Sequence, residues 1–177
     1  MIKVGILSDT HGFVPPQLYR FFDECDEIWH AGDWGNPDVF FKMKQFKPLR
    51  TVWGNIDGQA LRHEMPEVLQ FNAENVKVLM LHIGGYPGKY SAQCLSLIKE
   101  YRPKLVVCGH SHILKVLRDK QHDLMFFNPG AAGFKGFHTQ CTALRLQIDD
   151  NKLSNLEVWE MPKSYFLKGK DYEQDTP

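Results

Sequence analysis

The sequence predicts an α/β domain in which a largely parallel sheet with crossover helices packs face to face on a second, antiparallel sheet. Three observations predict it. Short apolar, β-branched runs alternate with helical spacing in the first half of the chain. Strand patterns without helices fill the part after residue 112. Each early run ends at a polar residue or a glycine, as a buried strand does where it reaches a turn.

In chain order, the runs are "IKVGILSD" (2–9), "EIWHAGD" (27–33), "LRTVWGN" (49–55), "VKVLMLH" (76–82) and "KLVVCGH" (104–110). Between them, residues 16–25 place Leu18, Phe21 and Phe22 on one helical face. Residues 88–101 do the same with Tyr90, Cys94, Leu97, Ile98 and Tyr101. Four later segments, "LKVLRD", "LMFFN", "TALRLQID" and "LSNLEVWEM", alternate or run apolar, and "DDNK" (149–152) marks the turn between the last two. They read as the antiparallel strands of the second sheet. Residues 163–177 form a mostly polar tail in which Tyr165 and Phe166 can dock before the end frays.

Bulk composition narrows the function. With 177 residues, 43% of them hydrophobic, the chain fits one domain spanning 1–177. Lys plus Arg equals Asp plus Glu at 21 each, which removes the global positive field expected of a nucleic-acid or anionic-membrane binder. No apolar run is long enough for a membrane span or a leader. The four cysteines are scattered without a C-x-x-C pair, which favours free thiols and a cytoplasmic protein over a disulfide framework.

The strand ends carry the chemistry. The five runs finish at Asp9 and His11, at Asp33, at Asn55, at His82, and at His110 and His112. The carboxyl ends of parallel strands share one edge of a sheet, so these side chains can converge on one crevice. Nitrogen and oxygen donors without thiolate suit Mn²⁺, Fe²⁺ or Zn²⁺, and seven donors exceed the needs of one tetrahedral ion. Two ions roughly 3.5–4 Å apart would use them, the arrangement that clamps the attacking and leaving oxygens of a phosphoryl displacement.

The ordered motifs "SDTHG", "HAGD", "GNID", "CGHSH" and "NPGAAG" resemble those of the calcineurin-like metallophosphoesterases, in particular the short single-domain bacterial and archaeal phosphodiesterases. The resemblance implies a four-layer α/β/β/α sandwich of two packed mixed sheets with two metals at its edge. It implies a first ion on Asp9, His11, Asp33 and His112, and a second on Asp33, Asn55, His82 and His110, with Asp33 bridging. Manganese is the metal it favours, with Fe²⁺, Ni²⁺ and Zn²⁺ open. The expected reaction is phosphodiester hydrolysis by a hydroxide bridging the ions, with Asp33, Asn55 and His110 as the catalytic residues.

Two departures stand out. Many relatives have a histidine directly after the G-N pair, where this chain has Ile56, and Asp57 is the nearest substitute as a proton donor. Ile83 separates His82 from the glycines that usually follow it directly. Other residues have plainer readings. His30 is expected to be a satisfied core imidazole behind the ligands, and His63, His122 and His138 surface residues, with His138 able to form a rim. Trp29, Trp34 and Trp53 read as core or half-buried edge packing, with Trp34, beside Asp33, the one candidate for a cleft wall. "GGYPGK" (84–89) reads either as a phosphate cradle or as a plain loop.

The expected partner is a small phosphoester, with neither membrane nor nucleic acid; a homo-oligomer is compatible with the sequence. Two alternatives stand beside the diesterase. One is a weakly active or inactive protein-interaction scaffold of the same fold, like the retromer subunit that resembles these enzymes. The other is a phosphomonoesterase.

Overall fold

A computed structural model describes residues 1–167. In chain order the elements are β1 (Ile2–Leu7), α1 (Pro16–Phe21), β2 (Glu27–His30), α2 (Pro37–Phe46), β3 (Leu49–Thr51), α3 (Gln59–Glu64), β4 (Val68–Ala73) and β5 (Val76–Leu81). They continue with β6 (Gly85–Tyr86), β7 (Lys89–Tyr90), α4 (Ala92–Tyr101), β8 (Leu105–Val107), β9 (Leu114–Asp119), β10 (Leu124–Pro129), β11 (Gln140–Asp149), β12 (Lys152–Pro162) and α5 (Ser164–Leu167).

Two five-stranded mixed sheets are formed, one in the order β12-β11-β1-β2-β3 and the other β4-β5-β8-β10-β9. Each has a parallel core: β1, β2 and β3 in the first, β5, β8 and β10 in the second. Antiparallel partners complete both. This corrects the expected division of strands. The late hairpins do not make a sheet of their own: β9 and β10 join β8, while β11 and β12 close onto β1.

Strand periodicity builds the layers. Along β1, Val4 and Ile6 face the second sheet, whereas Leu7 faces α1 and α2 with Leu18, Phe22, Phe40 and Met43. Along β5 and β8, Val78, Met80, Leu105 and Val107 enter the inter-sheet core, and Leu79, Leu81, Val106 and Cys108 turn to Cys94 and Ile98 of α4. Helix, sheet, sheet and helix are the four layers. Apolar residues on both faces explain why these strands read as continuous apolar runs.

The helices start where capping chemistry permits. Asn36 accepts a bond from the Asp38 amide at the head of α2, with Pro37 in its first turn. Ser91 caps α4 through the Cys94 amide, and the helix stops at Arg102, left-handed at φ 50°, before Pro103. Hence α4 is shorter than the sequence spacing suggests, because residues 85–90 form the small β6–β7 hairpin. The phosphate-cradle reading of that segment fails: it is a turn, and the first turn of α4 is capped by its own serine. Helix α1 also stops early, at Phe21, whose carbonyl accepts a bond from Arg145. Helices α2 and α3 and strand β4 go beyond the sequence expectation. Of the tail, Phe166 packs edge-on to Phe13 with ring centroids 5.6 Å apart, while Tyr165 is exposed; residues 168–177 lie outside the described part.

Candidate metal centre

The loops after β1, β2, β3, β5 and β8 meet at one end of the sandwich. Three come from the first sheet and two from the second, so the crevice lies between two sheets, not along the edge of one as the sequence suggested. The loops are tied together by main-chain bonds from Asp9 to Gly32, His11 to Asp33, Gly12 to Trp34, and Gly109 to His82.

Asp9, Asp33 and His82 form one group of converging donors, and Asp9, His11 and His112 another, sharing Asp9. His112 Nε2 lies 3.1 Å from Asp9 Oδ1 and 3.2 Å from His11 Nε2. His82 Nε2 lies 3.2 Å from Asp33 Oδ1, and His11 Nε2 is 3.8 Å from Asp33 Oδ2. At the outer side of the crevice, His110 Nδ1 and Asn55 Oδ1 are 2.9 Å apart. Five of the seven predicted donors, Asp9, His11, Asp33, His82 and His112, thus converge around the two carboxylates, and Asn55 and His110 lie at the rim, the His110 ring 5.3 Å from that of His82.

Whether these residues suit a cation can be read from their hydrogen bonds. Asp9 Oδ1 and His82 Nε2 are buried without a hydrogen-bond partner, a costly state for polar atoms. His82 donates from Nδ1 to the Ala31 carbonyl, 2.7 Å away, so its neutral ring has no proton to share with Asp33. Nitrogen lone pairs and carboxylate oxygens thus face one another, which a divalent cation resolves. The protonation tendencies agree. Burial opposes charging His82, yet the Asp33 carboxylate facing its ring and the charge of Asp9 outweigh it and raise its pKa, so the position favours a positive charge. Burial likewise works to raise Asp33, but the His82 contacts, the Ile56 amide and His11 bring its pKa below the usual carboxylate value. For His11, burial dominates and lowers the pKa.

The backbone is strained where the donors sit. Asp9, His11, Asp33, His110 and His112 all have φ between 48° and 69°. A left-handed residue other than glycine costs about 1–2 kcal/mol, and such outliers gather at functional sites. After β1, β2 and β8 the chain makes sharp left-handed turns at these donors, whereas Asn55 after β3 and His82 after β5 sit on backbone without positive φ. Close approach is also enforced: a Cβ on Gly109 would strike Ser8 Oγ and come within 2.8 Å of Asp9 Oδ2.

Residues behind the donors hold them. His30 is fully buried, accepts from the Gly32 amide, stacks on Trp34 at 3.5 Å and meets Thr10, as the sequence reading had it. Asn128 donates to the Gly109 carbonyl, and the "NPGAAG" turn bonds back to Ser8 and Asp9.

Three expectations change. Asp57 is 2% exposed, and its carboxylate accepts bonds from the amides of Asp33, Gly35 and Gly54. It fastens the Asp33 loop to the Asn55 loop and is not placed to donate a proton in the cleft. Trp34 is fully buried with its indole bonded to Thr51; Trp53 is the tryptophan at the cleft. His138, read as a surface residue, sits 3.3 Å from the His112 ring nitrogen and 2.9 Å from the Gly133 carbonyl. Its only sequence signal was a histidine in the glycine-rich "FKGFH" loop.

Fold and site together define a candidate metal centre of the phosphoesterase type, carried by loops on a β-sandwich. The chain belongs to the calcineurin-like phosphoesterase superfamily, whose domain model matches residues 2–151. Among relatives, it is 29% identical over 158 residues to a "Probable metallophosphoesterase" of Methanothermobacter thermautotrophicus, spanning 85% of this chain and 88% of the relative. It is 27% identical over 150 residues to a phosphodiesterase of Methanocaldococcus jannaschii, spanning 73% and 83%. Among solved structures, Vps29 of Entamoeba histolytica in complex with Zn²⁺ superposes with a TM-score of 0.71 at 14% identity, over 92% of this chain and 99% of that one. No helix among the described residues is long and apolar enough to cross a membrane.

Proposed function

We propose that the protein is a two-metal phosphodiesterase, with Asp9, His11, Asp33 and His112 holding one divalent ion and Asp33, Asn55, His82 and His110 the other. The observation that carries this reading is the pair of partnerless buried atoms, Asp9 Oδ1 and His82 Nε2, at the meeting point of the donors. When bound, such ions activate a water as nucleophile at neutral pH and offset charge on the phosphoryl oxygens. Manganese is the preferred metal in this reading, Fe²⁺, Ni²⁺ and Zn²⁺ being served by the same donors.

The chain's own part is positional. Asp33 is oriented by the Ile56 amide on Oδ1, and Asp57 holds its loop. His110 is held through its amide on Asp9 Oδ2 and its ring on Asn55, which leaves it at the exposed lip where a phosphoryl oxygen would pass. A cleft of about 250 Å³ opens beside Asn55 and His82, lined by Trp53, Leu81 and Ile83, with Glu67 and Gln93 also in its wall. It offers room for an apolar ester arm, which favours a diester over a phosphomonoester. With Ile56 in place of a histidine and Asp57 occupied by three amides, protonation of the leaving oxygen is unassisted. Esters with acidic leaving groups are therefore the good substrates.

The alternative is an interaction scaffold. Ile56, Ile83, Ile113 and Phe137 are exposed around the mouth, an apolar collar suited to a partner. Metal binding does not separate the two readings, since Vps29 also takes Zn²⁺; turnover does. Metal-stripped protein is assayed on bis(p-nitrophenyl) phosphate with and without Mn²⁺, alongside Asp33→Asn. Metal-dependent turnover lost in the variant supports the enzyme. Stoichiometric metal binding without turnover for Mn²⁺, Fe²⁺, Ni²⁺ or Zn²⁺ leaves the scaffold. A cytoplasmic location and self-association belong to the same proposal and are checked by fractionation and light scattering.

A further inference from the structure

We propose that His138 is a positioning residue for the metal centre: a neutral imidazole that accepts the Nδ1 proton of His112 and so directs the His112 Nε2 lone pair at the ion. The inference rests on the reading of His112 as a ligand. A neutral imidazole carries one proton. If His112 gives Nε2 to a cation, the proton is on Nδ1 and needs an acceptor. The atom in reach is His138 Nδ1, 3.3 Å away, with the rings edge-on at 5.1 Å. The other nitrogen of His138 faces the Gly133 carbonyl at 2.9 Å, and a carbonyl can only accept. The His138 proton is therefore on Nε2, and its Nδ1 is left bare for His112.

This outer partner differs from that of His82, which uses the Ala31 carbonyl. It belongs to a loop instead of a strand end. The loop is moored by Lys163 on the Gly136 carbonyl and by Cys141 on that of Gly133. Gly136 covers the contact: a Cβ there would come within 2.8 Å of His112 Cε1 and 3.2 Å of His138 Nδ1. Phe137, fully exposed, rides on the same loop beside His110 and His112.

The test uses metal-stripped protein titrated calorimetrically with Mn²⁺. His138→Leu fills the space without an acceptor. His138→Gln keeps one oxygen to accept from His112 and an amide to donate to Gly133. The expected result is metal affinity about 10–100-fold weaker for His138→Leu and rescue to within a few-fold by His138→Gln. Equal affinity of His138→Leu and wild type overturns the proposal, as does equal loss in both variants. Wild-type protein loaded with diamagnetic Zn²⁺ gives a check that does not depend on a variant folding. Long-range ¹⁵N–¹H spectra should show His112 protonated at Nδ1 and His138 at Nε2, and the reverse tautomers overturn the assignment. If the wild type binds no divalent ion at all, the metal-centre reading fails first and the relay with it, a result distinct from a variant-specific one.

Discussion

Two clusters in this molecule use the same residue types to opposite ends. At the strand-end crevice, Asp9, Asp33, His11, His82 and His112 converge with a carboxylate oxygen and an imidazole nitrogen left without partners. At the β9–β10 turn, Asp119 is also buried beside a histidine, yet every atom is used. Its Oδ1 accepts the amides of Gln121 and His122, and its Oδ2 takes the Tyr90 hydroxyl and the His122 ring. Burial works to raise the Asp119 pKa, but these bonds outweigh it and lower the pKa. Buried Asp and His therefore do not by themselves mark a metal site. What marks one is hydrogen-bonding capacity left unspent, on backbone held in a costly conformation.

The comparison is sharpened most by activity. Asp33→Asn should lower kcat/KM for bis(p-nitrophenyl) phosphate by about 100-fold or more, about 2.7 kcal/mol of transition-state stabilisation. Asp119→Asn should leave it within about twofold. A large loss in Asp119→Asn would break the distinction.

Next in size is an opposite sign in metal-free stability. In chelator, Asp119→Asn should lose about 1–3 kcal/mol, because an amide cannot accept all four donors. Asp9→Asn should gain about 1 kcal/mol. Its oxygen keeps the His110 amide, its nitrogen can donate to the bare ring nitrogens, and Asn tolerates the left-handed backbone. Thermal melts read both, and a destabilised Asp9→Asn would count against unspent capacity at that site.

Backbone strain alone is smaller. At His11, φ 48°, glycine should be more stable than alanine by about 1 kcal/mol in metal-free melts. Equal melts would remove strain from the account.

The last effect is confined to alkaline pH and is absent at neutrality. Burial pushes the Cys25 and Cys141 thiols up to about 11, above the ordinary 9.0. Folding favours the neutral thiol, so this contribution is intact below pH 9 and is lost as the pH rises from 9 through 11. Unfolding midpoints measured across that window should fall in wild type and fall less in Cys25→Ala.

Much of this was legible in the chain itself. The ligand types and their order follow from local rules: an apolar run of strand length must end in a polar turn, and here the turns carry Asp, His and Asn. Strands 114–119, 124–129, 140–149 and 152–162 were equally visible, because alternation is a property of neighbouring residues. Helices α1 and α4 were found but drawn too long, since spacing does not reveal where Arg145 or a serine cap ends the run. Partnership is another matter. A strand apolar on both faces fits the middle of either sheet, so only three-dimensional pairing could send β5, β8 and β10 to one and β1, β2 and β3 to the other. The same holds behind the ligands, where Asp57 meets three amides and His138 meets His112 across 26 residues. The sequence by itself determined which atoms could bind a cation, because side-chain chemistry travels with the residue. Only the tertiary structure decided which of those atoms were left unsatisfied, because hydrogen-bond partners are supplied from distant parts of the chain.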